Sequence, residues 1–192
     1  MAVAVNRPAV GLTIKICLAG DSAVGKTSLV RRFVSDTFAE KYGTTLGAKV
    51  SSRRYRVEDP RLPGTLIEVG ATIWDIMGNV GLRELLKDAY FHGVQGVLLV
   101  CDGTRPETFR SVGGWISSVR SVAGSVPAVL LVNKTDLKPD LKVSPADAEA
   151  FGAQNGWPWL PTSARTGENV EAAFTRIAQT HLGSLRGAPT SR

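Results

Sequence analysis

The strongest chemical signal in the chain is a run of nine residues, Gly20-Asp21-Ser22-Ala23-Val24-Gly25-Lys26-Thr27-Ser28. They follow an apolar run, Leu12 to Ala19, and open a segment of helical period. The pattern G-x-x-x-x-G-K-[S/T] between a strand and a helix is a phosphate cradle. Gly20 and Gly25 permit backbone conformations that turn successive N–H groups inward, and the positive end of the following helix adds to the field. Lys26 supplies a point charge for β- and γ-phosphates, and the Thr27 hydroxyl a ligand for Mg2+. Alone, the motif implies a nucleoside triphosphate and leaves the base and the reaction open.

Two further segments bear on the base. Asn133-Lys134-Thr135-Asp136 follows the apolar run Val126 to Val132. The Asp136 carboxylate can accept two parallel hydrogen bonds, which suits the ring N–H and exocyclic amine of guanine and not adenine. Asn133 can tie this loop to the phosphate loop, and the Lys134 stem can cover one face of the base. Taken alone, the four residues would also suit an ordinary Asx-type turn. They are joined by Thr162-Ser163-Ala164-Arg165, after a strand expected at 157–160, where small residues let backbone N–H groups approach the guanine carbonyl.

A third group could sense a γ-phosphate. In Trp74-Asp75-Ile76-Met77-Gly78-Asn79, Asp75 can hold Mg2+ through a bound water, and Gly78 offers an unobstructed N–H. Upstream, residues 38–47 (FAEKYGTTLG) include Thr45, whose hydroxyl and carbonyl could complete a magnesium shell.

The elements needed to position these groups are legible. Leu12 to Ala19 reads as a buried strand and Lys26 to Val34 as a helix. Leu46 to Val57 and Thr65 to Asp75 read as strands joined by the turn-rich EDPRLPG at 58–64, with Ile67, Val69, Ala71 and Ile73 on one face. Val94 to Cys101 and Val126 to Val132 are continuous apolar runs of the kind that parallel sheets bury on both faces. Between them a helix is expected from Pro106 to Val122. A last helix from Asn169 places Val170, Ala173, Phe174, Ile177 and Ala178 on one stripe. The alternation predicts an α/β sandwich with a mostly parallel sheet, and ligands in such sheets lie beyond the carboxyl ends of the strands.

Composition sets the outer bounds. The chain has 192 residues, 43% hydrophobic and 21% charged, which suits one ordinary globular domain. No apolar run approaches the roughly 20 residues a membrane-spanning helix needs. The two cysteines, Cys17 and Cys101, sit in apolar runs and are expected as buried thiols in a reducing, cytoplasmic setting. With only two histidines there is no zinc-type ligand set. The net charge of +6 is dispersed, densest at Lys49, Arg53, Arg54, Arg56 and Arg61, and lacks the interleaved aromatics of a nucleic-acid surface apart from Tyr55. Residues 1–10 and 183–192 are expected to be disordered around a domain spanning 11–182. The tail holds no cysteine for lipidation.

The order phosphate loop, Thr loop, W-D-x-x-G, N-K-T-D, T-S-A-R resembles the Ras superfamily of small GTPases, most nearly its Rab branch, over residues 12–182. GDSAVGKTSLVRRF, EKYGTTLGAKV, WDIMGN, NKTD and TSARTGENVEAAF carry the likeness. The resemblance implies a P-loop NTPase sandwich with a six-stranded sheet and about five helices. It also implies Mg2+·GTP binding, slow hydrolysis to GDP, and a monomer whose switch loops, 38–47 and 75–90, meet effectors, exchange factors and GTPase-activating proteins. It further implies that Phe38 packs edgewise on the guanine, that Tyr42 lies over the phosphates, and that Lys26, Thr45, Gly78 and position 79 serve hydrolysis.

Three departures stand out. Asn79 occupies the place of the family's usual Gln, which orients the attacking water. It is shorter by one CH2, about 1.3 Å, and a misplacement of about 1 Å can cost on the order of a hundredfold. Weak intrinsic hydrolysis is therefore expected, and a GTP-loaded binding module that hardly hydrolyses is the alternative. Ile76 and Met77 replace Thr-Ala, which predicts altered packing there and a partner surface. The 58–64 connection is longer than usual and carries Pro60 and Pro63. With no lipidation cysteine in the tail, it leaves at most weak peripheral contact with anionic lipid, about 1 kcal/mol per basic residue. A P-loop kinase or ATPase would leave NKTD and TSAR without roles.

Overall fold

A computed structural model describes residues 11–37 and 47–185. In chain order the elements are β1 (Gly11–Ala19), α1 (Lys26–Ser35), β2 (Ala48–Glu58), β3 (Leu66–Ile76), α2 (Val80–Phe91), β4 (Gly96–Asp102), α3 (Pro106–Arg110) and α4 (Val112–Ala123). They continue with β5 (Ala128–Asn133), α5 (Pro145–Asn155), β6 (Trp159–Thr162) and α6 (Val170–Ser184). The six strands form one sheet in the order β2-β3-β1-β4-β5-β6. Every pairing is parallel except β2 with β3, the pair joined by the 59–65 turn.

Alternation along the strands divides the core in two. Ile14, Ile16, Leu18, Leu98, Val100, Val129 and Leu131 face α1 and α6. Cys17, Ala19, Val97, Leu99, Cys101, Leu130 and Val132 face α2, α4 and α5. Both cysteines are thus buried thiols, and burial pushes each up to about 12. On the first face Phe33 of α1 stacks on Phe174 of α6, centroids 3.8 Å apart, and meets Tyr55 of β2 edge-on at 5.2 Å. These contacts fix the rotation of α1, and with it the direction of its flanking polar residues.

The helix expected over 106–122 is divided at Ser111. That hydroxyl donates to the Asp21 carboxylate at 2.7 Å and to the Thr108 carbonyl at 3.0 Å, and α4 starts afresh beyond it. Helix α5 has no counterpart in the apolar periodicity, since its buried residues are only Ala148 and Gly152. Capping defines it instead: Ser144 accepts the Asp147 N–H at 3.1 Å, Pro145 opens the first turn, and Gly156 closes the helix in the left-handed region. Ile76 corrects the expectation of an apolar partner surface. It is fully buried beside Cys17, Tyr90 and Phe91, because it is the last residue of β3 and points into the sheet's second face; Met77 is only half-buried. The 59–65 turn is tightly bonded. Asp59 and Thr65 pair through the backbone at 2.8 Å, and Arg61 binds the buried Asp59 carboxylate at 2.8 Å. Among the described residues, no helix is long and apolar enough to cross a membrane.

Candidate functional site

The carboxyl ends of β1, β3, β4, β5 and β6 lie along one rim of the sheet, and those of the expected site residues that are described gather there. The 20–25 loop leaves β1 and turns directly into α1. Its shape is held by close approach: a Cβ on Gly25 would stand 2.2 Å from the Asn133 side-chain nitrogen, and φ there is +102°. Ala23 also takes a left-handed φ of 61°, without the freedom a glycine would have.

Lys26 bends back over this loop. Its Nζ donates to the Gly20 carbonyl at 2.6 Å and to the Asp21 carbonyl at 2.7 Å. Burial lowers its pKa to about 8, against the opposing charges of Asp75 and Asp21. The Asp21 side chain faces away from the cradle: it accepts Ser111 Oγ and Trp115 Nε1, each at 2.7 Å. Asp21 therefore serves the loop through its backbone. Ser22 offers its carbonyl to Arg105, and Val24 offers its carbonyl to Asn133. Ser28 is buried at the start of α1.

Thr27 and Asp75 form the cation-ready pair. Thr27 Oγ1 donates to Asp75 Oδ2 at 2.5 Å. The other carboxylate oxygen, Oδ1, is buried with no hydrogen-bond partner among the described residues. Burial raises the Asp75 pKa, opposed by the Thr27 hydroxyl and the charges of Lys26, Lys49 and Arg31. A hydroxyl beside a half-satisfied buried carboxylate is a hard oxygen donor set, which fits Mg2+. Beyond β3, Gly78 lies against the phosphate loop so closely that a Cβ would fall 2.4 Å from the Asp21 carbonyl carbon. Asn79 Oδ1 accepts the Gly81 N–H at 2.9 Å. Phe38, Tyr42 and Thr45 lie outside the described residues.

Asn133 joins three loops. Its Nδ2 donates to the Val24 carbonyl at 2.8 Å, and its Oδ1 accepts the Ala164 N–H and the Thr162 hydroxyl, each at 3.3 Å. Asp136 accepts Ser163 Oγ at 2.6 Å, which links the two base-side loops directly. Thr135 adds a bond to the Thr162 carbonyl at 2.9 Å. Lys134, at a φ of 69°, sends its ammonium to Asp102 at 2.6 Å. The Arg165 carbonyl, with that of Ala164, accepts the Arg32 guanidinium at 2.5 and 3.0 Å.

Asp102, Arg105 and Arg32 were not singled out from the sequence. Asp102 is the fully buried end of β4 and receives Lys134, Thr104 and Arg105. Burial works against its charge, but the bonds from Lys134, Thr104 and Arg105 outweigh it and hold the carboxyl below the usual range. A lone carboxylate closing an otherwise apolar strand, on the rim where ligands collect, was the available signal. Arg105 reaches on to the Ser22 carbonyl at 3.0 Å.

Comparison with known proteins follows the same outline. The Ras family model matches residues 15–182. The Ras-related protein Rab-2B of Dictyostelium discoideum is 33% identical over 176 residues, covering 91% of this chain and 83% of the relative. The Ras-related protein RABA2a of Arabidopsis thaliana is 37% identical over 164 residues, 85% of this chain and 72% of the relative. The GTP-binding protein ypt3 of Schizosaccharomyces pombe is 35% identical over 164 residues, 85% of this chain and 73% of the relative.

Proposed function

The chain belongs to the Ras family of small GTPases, and from that premise we propose that it is a Rab-like, guanine-specific switch that holds Mg2+·GTP at this rim and hydrolyses it slowly to GDP. The observation carrying the reading is the Asn133 side chain, which bonds the phosphate loop at Val24 and the 162–165 loop at Ala164. One residue thereby sets the spacing between a phosphate cradle and a base-reading surface.

Each residue has a task within that frame. The N–H groups of 21–28 and the Lys26 ammonium receive the phosphates. Asp136 takes the guanine N–H and amine, and the Ala164 N–H its carbonyl. Lys134 covers the base face. Ser163 orients Asp136, and Arg165 shapes the loop through its backbone. Thr27 and Asp75, with Thr45 from the 38–47 loop, would hold Mg2+. When bound, that ion would supply positive charge to neutralise the phosphates. Lys26 and the Gly78 N–H stabilise charge that builds on the transferring group, so catalysis is positioning and electrostatics rather than covalent chemistry. Phe38 and Tyr42 would close over base and phosphates. Effectors, exchange factors and activating proteins would act on a cytoplasmic monomer through 38–47 and 75–90.

A second reading, a GTP-loaded binding module with little hydrolysis, draws on Asn79. Its side-chain oxygen is engaged with the Gly81 N–H at the start of α2, so one of its two acceptor positions is already taken and the side chain is turned toward the helix. Two measurements test the whole. GDP and GTP, but not ATP, should displace a fluorescent guanine nucleotide, and Asp136→Asn should shift preference from guanine toward xanthine, whose exocyclic carbonyl suits an amide donor. Equal displacement by ATP, or unchanged guanine affinity in the variant, would overturn the site.

A further inference from the structure

Arg32 has no part in the scheme above, yet it touches the loop on which base recognition depends. It lies on the last turn of α1, next to Phe33, whose stacking on Phe174 fixes the helix rotation. From there its guanidinium crosses to the 162–165 loop, 132 residues away in sequence. Nε donates to the Ala164 carbonyl at 3.0 Å, and a terminal nitrogen donates to the Arg165 carbonyl at 2.5 Å. The remaining terminal nitrogen binds the Asp36 carboxylate at 3.1 Å and the Asp36 carbonyl at 3.3 Å. Asp36 is the left-handed cap of α1 and the last turn before the 38–46 stretch. The Arg32 side chain is four-fifths shielded from solvent, whereas that of Asp36 is exposed.

We infer that Arg32 is a positioning residue for guanine recognition: its fork on the Ala164 and Arg165 carbonyls holds the Ala164 N–H where it meets the guanine carbonyl oxygen. The inference rests on the base pocket of the preceding section. The chemistry suits arginine in particular. Two adjacent carbonyls and a carboxylate are engaged at once by one planar group with five donors, which an ammonium cannot imitate. The same peptide segment is held on its other side by Asn133, which accepts the Ala164 N–H at a long 3.3 Å. That N–H is thus loosely committed within the protein and can turn to a ligand without losing a strong bond. Without Arg32, nothing among the described hydrogen bonds engages the Ala164 or Arg165 carbonyl. The loop would then recognise the base only after being ordered by it, at a cost in affinity.

The experiment compares GDP with 6-thio-GDP, which differs only at the atom the Ala164 N–H is assigned to meet. Affinities of both are measured by competition against a fluorescent GDP in the full chain, for wild type, Arg32→Ala and Arg32→Lys, with a melting curve of each nucleotide-bound protein. Wild type should favour GDP. Arg32→Ala should release GDP at least about tenfold faster, since two charge-assisted bonds are lost, and its preference for GDP over 6-thio-GDP should shrink toward unity. Arg32→Lys should recover only part of both. If Arg32→Ala discriminates as well as wild type, Arg32 is merely structural and the inference fails while the pocket stands. If wild type itself does not discriminate, the assigned pocket is wrong and the inference falls with it. Should Arg32→Ala not fold, Arg32→Lys with unchanged discrimination and unchanged release rate is the overturning result.

Discussion

Asn79 and Gly81 are linked by a hydrogen bond of 2.9 Å from the Gly81 N–H to the Asn79 side-chain oxygen, across the first turn of α2. Asn is among the best residues for capping a helix start in this way, and Gln is not. The residue standing where small GTPases usually carry a water-orienting Gln is therefore employed in building the helix behind it. Reach and occupation act together here. The side chain is one CH2 shorter, and its oxygen is already bonded.

Asn79→Gln should accordingly move two quantities in opposite directions. Single-turnover GTP hydrolysis should rise, by between about tenfold and a hundredfold if reach is the limiting defect. Stability should fall by about 1 kcal/mol from loss of the cap. Phosphate release under single-turnover conditions, alongside denaturant unfolding, reads both. An equal or slower rate rejects the hydrolytic argument, and unchanged stability rejects the capping one.

The pairing of Thr27 with Asp75, and the orphaned Asp75 Oδ1, predict a cation-dependent grip on nucleotide. Chelation by EDTA should speed GDP release from wild type by at least about tenfold, equivalent to about 1.4 kcal/mol. Asp75→Ala should release GDP fast in the presence of Mg2+ and gain little more from EDTA. Wild-type release that ignores chelation would remove the ion from the site.

Lys26 makes binding depend on pH. In the nucleotide-free protein burial lowers its pKa to about 8, from the ordinary 10.5. Phosphate binding requires the ammonium, so GDP affinity should hold steady below about pH 8 and decline above it, by at most about tenfold per unit. Stability of the empty protein runs the other way. Between about 8 and 10.5 the unfolded chain keeps a proton that the folded one has lost, so stability rises with pH across that window. Calorimetric titration of GDP at pH 7 to 9 checks the first trend; flat affinity contradicts it.

His181 supplies an acid-side counterpart. It is 7% exposed on α6, and neither ring nitrogen has a partner among the described residues. Burial lowers its pKa, so it folds as neutral imidazole. As pH drops below the ordinary value of 6.5, the unfolded chain takes up the proton first, and stability falls by up to about 1.4 kcal/mol per unit. His181→Leu should flatten the stability curve between pH 6.5 and 5 relative to wild type. Parallel curves for the two proteins would show that this histidine is not responsible.

Most of what the site needs is local, and for that reason legible without coordinates. The cradle from Gly20 to Ser28 is a single strand–turn–helix transition whose conformation is written in nine consecutive residues. The NKTD and TSAR loops each follow a strand marked by its own apolar residues, and the sheet rule then places them on one rim. The stripe from Val170 to Ala178 declares its buried face by spacing alone. What the linear chain withheld depends on partners far away in it. Ser111 divides a helix because Asp21 lies within reach; Ile76 is core because the end of β3 turns it inward; Asp102 gathers cations because β4 and β5 are neighbours. An arginine such as Arg32 reads in the sequence like any solvated residue on a helix. Long polar side chains are equally at ease in water, so only the fold, by bringing particular carbonyls within 3 Å, decides which of them take part in the site.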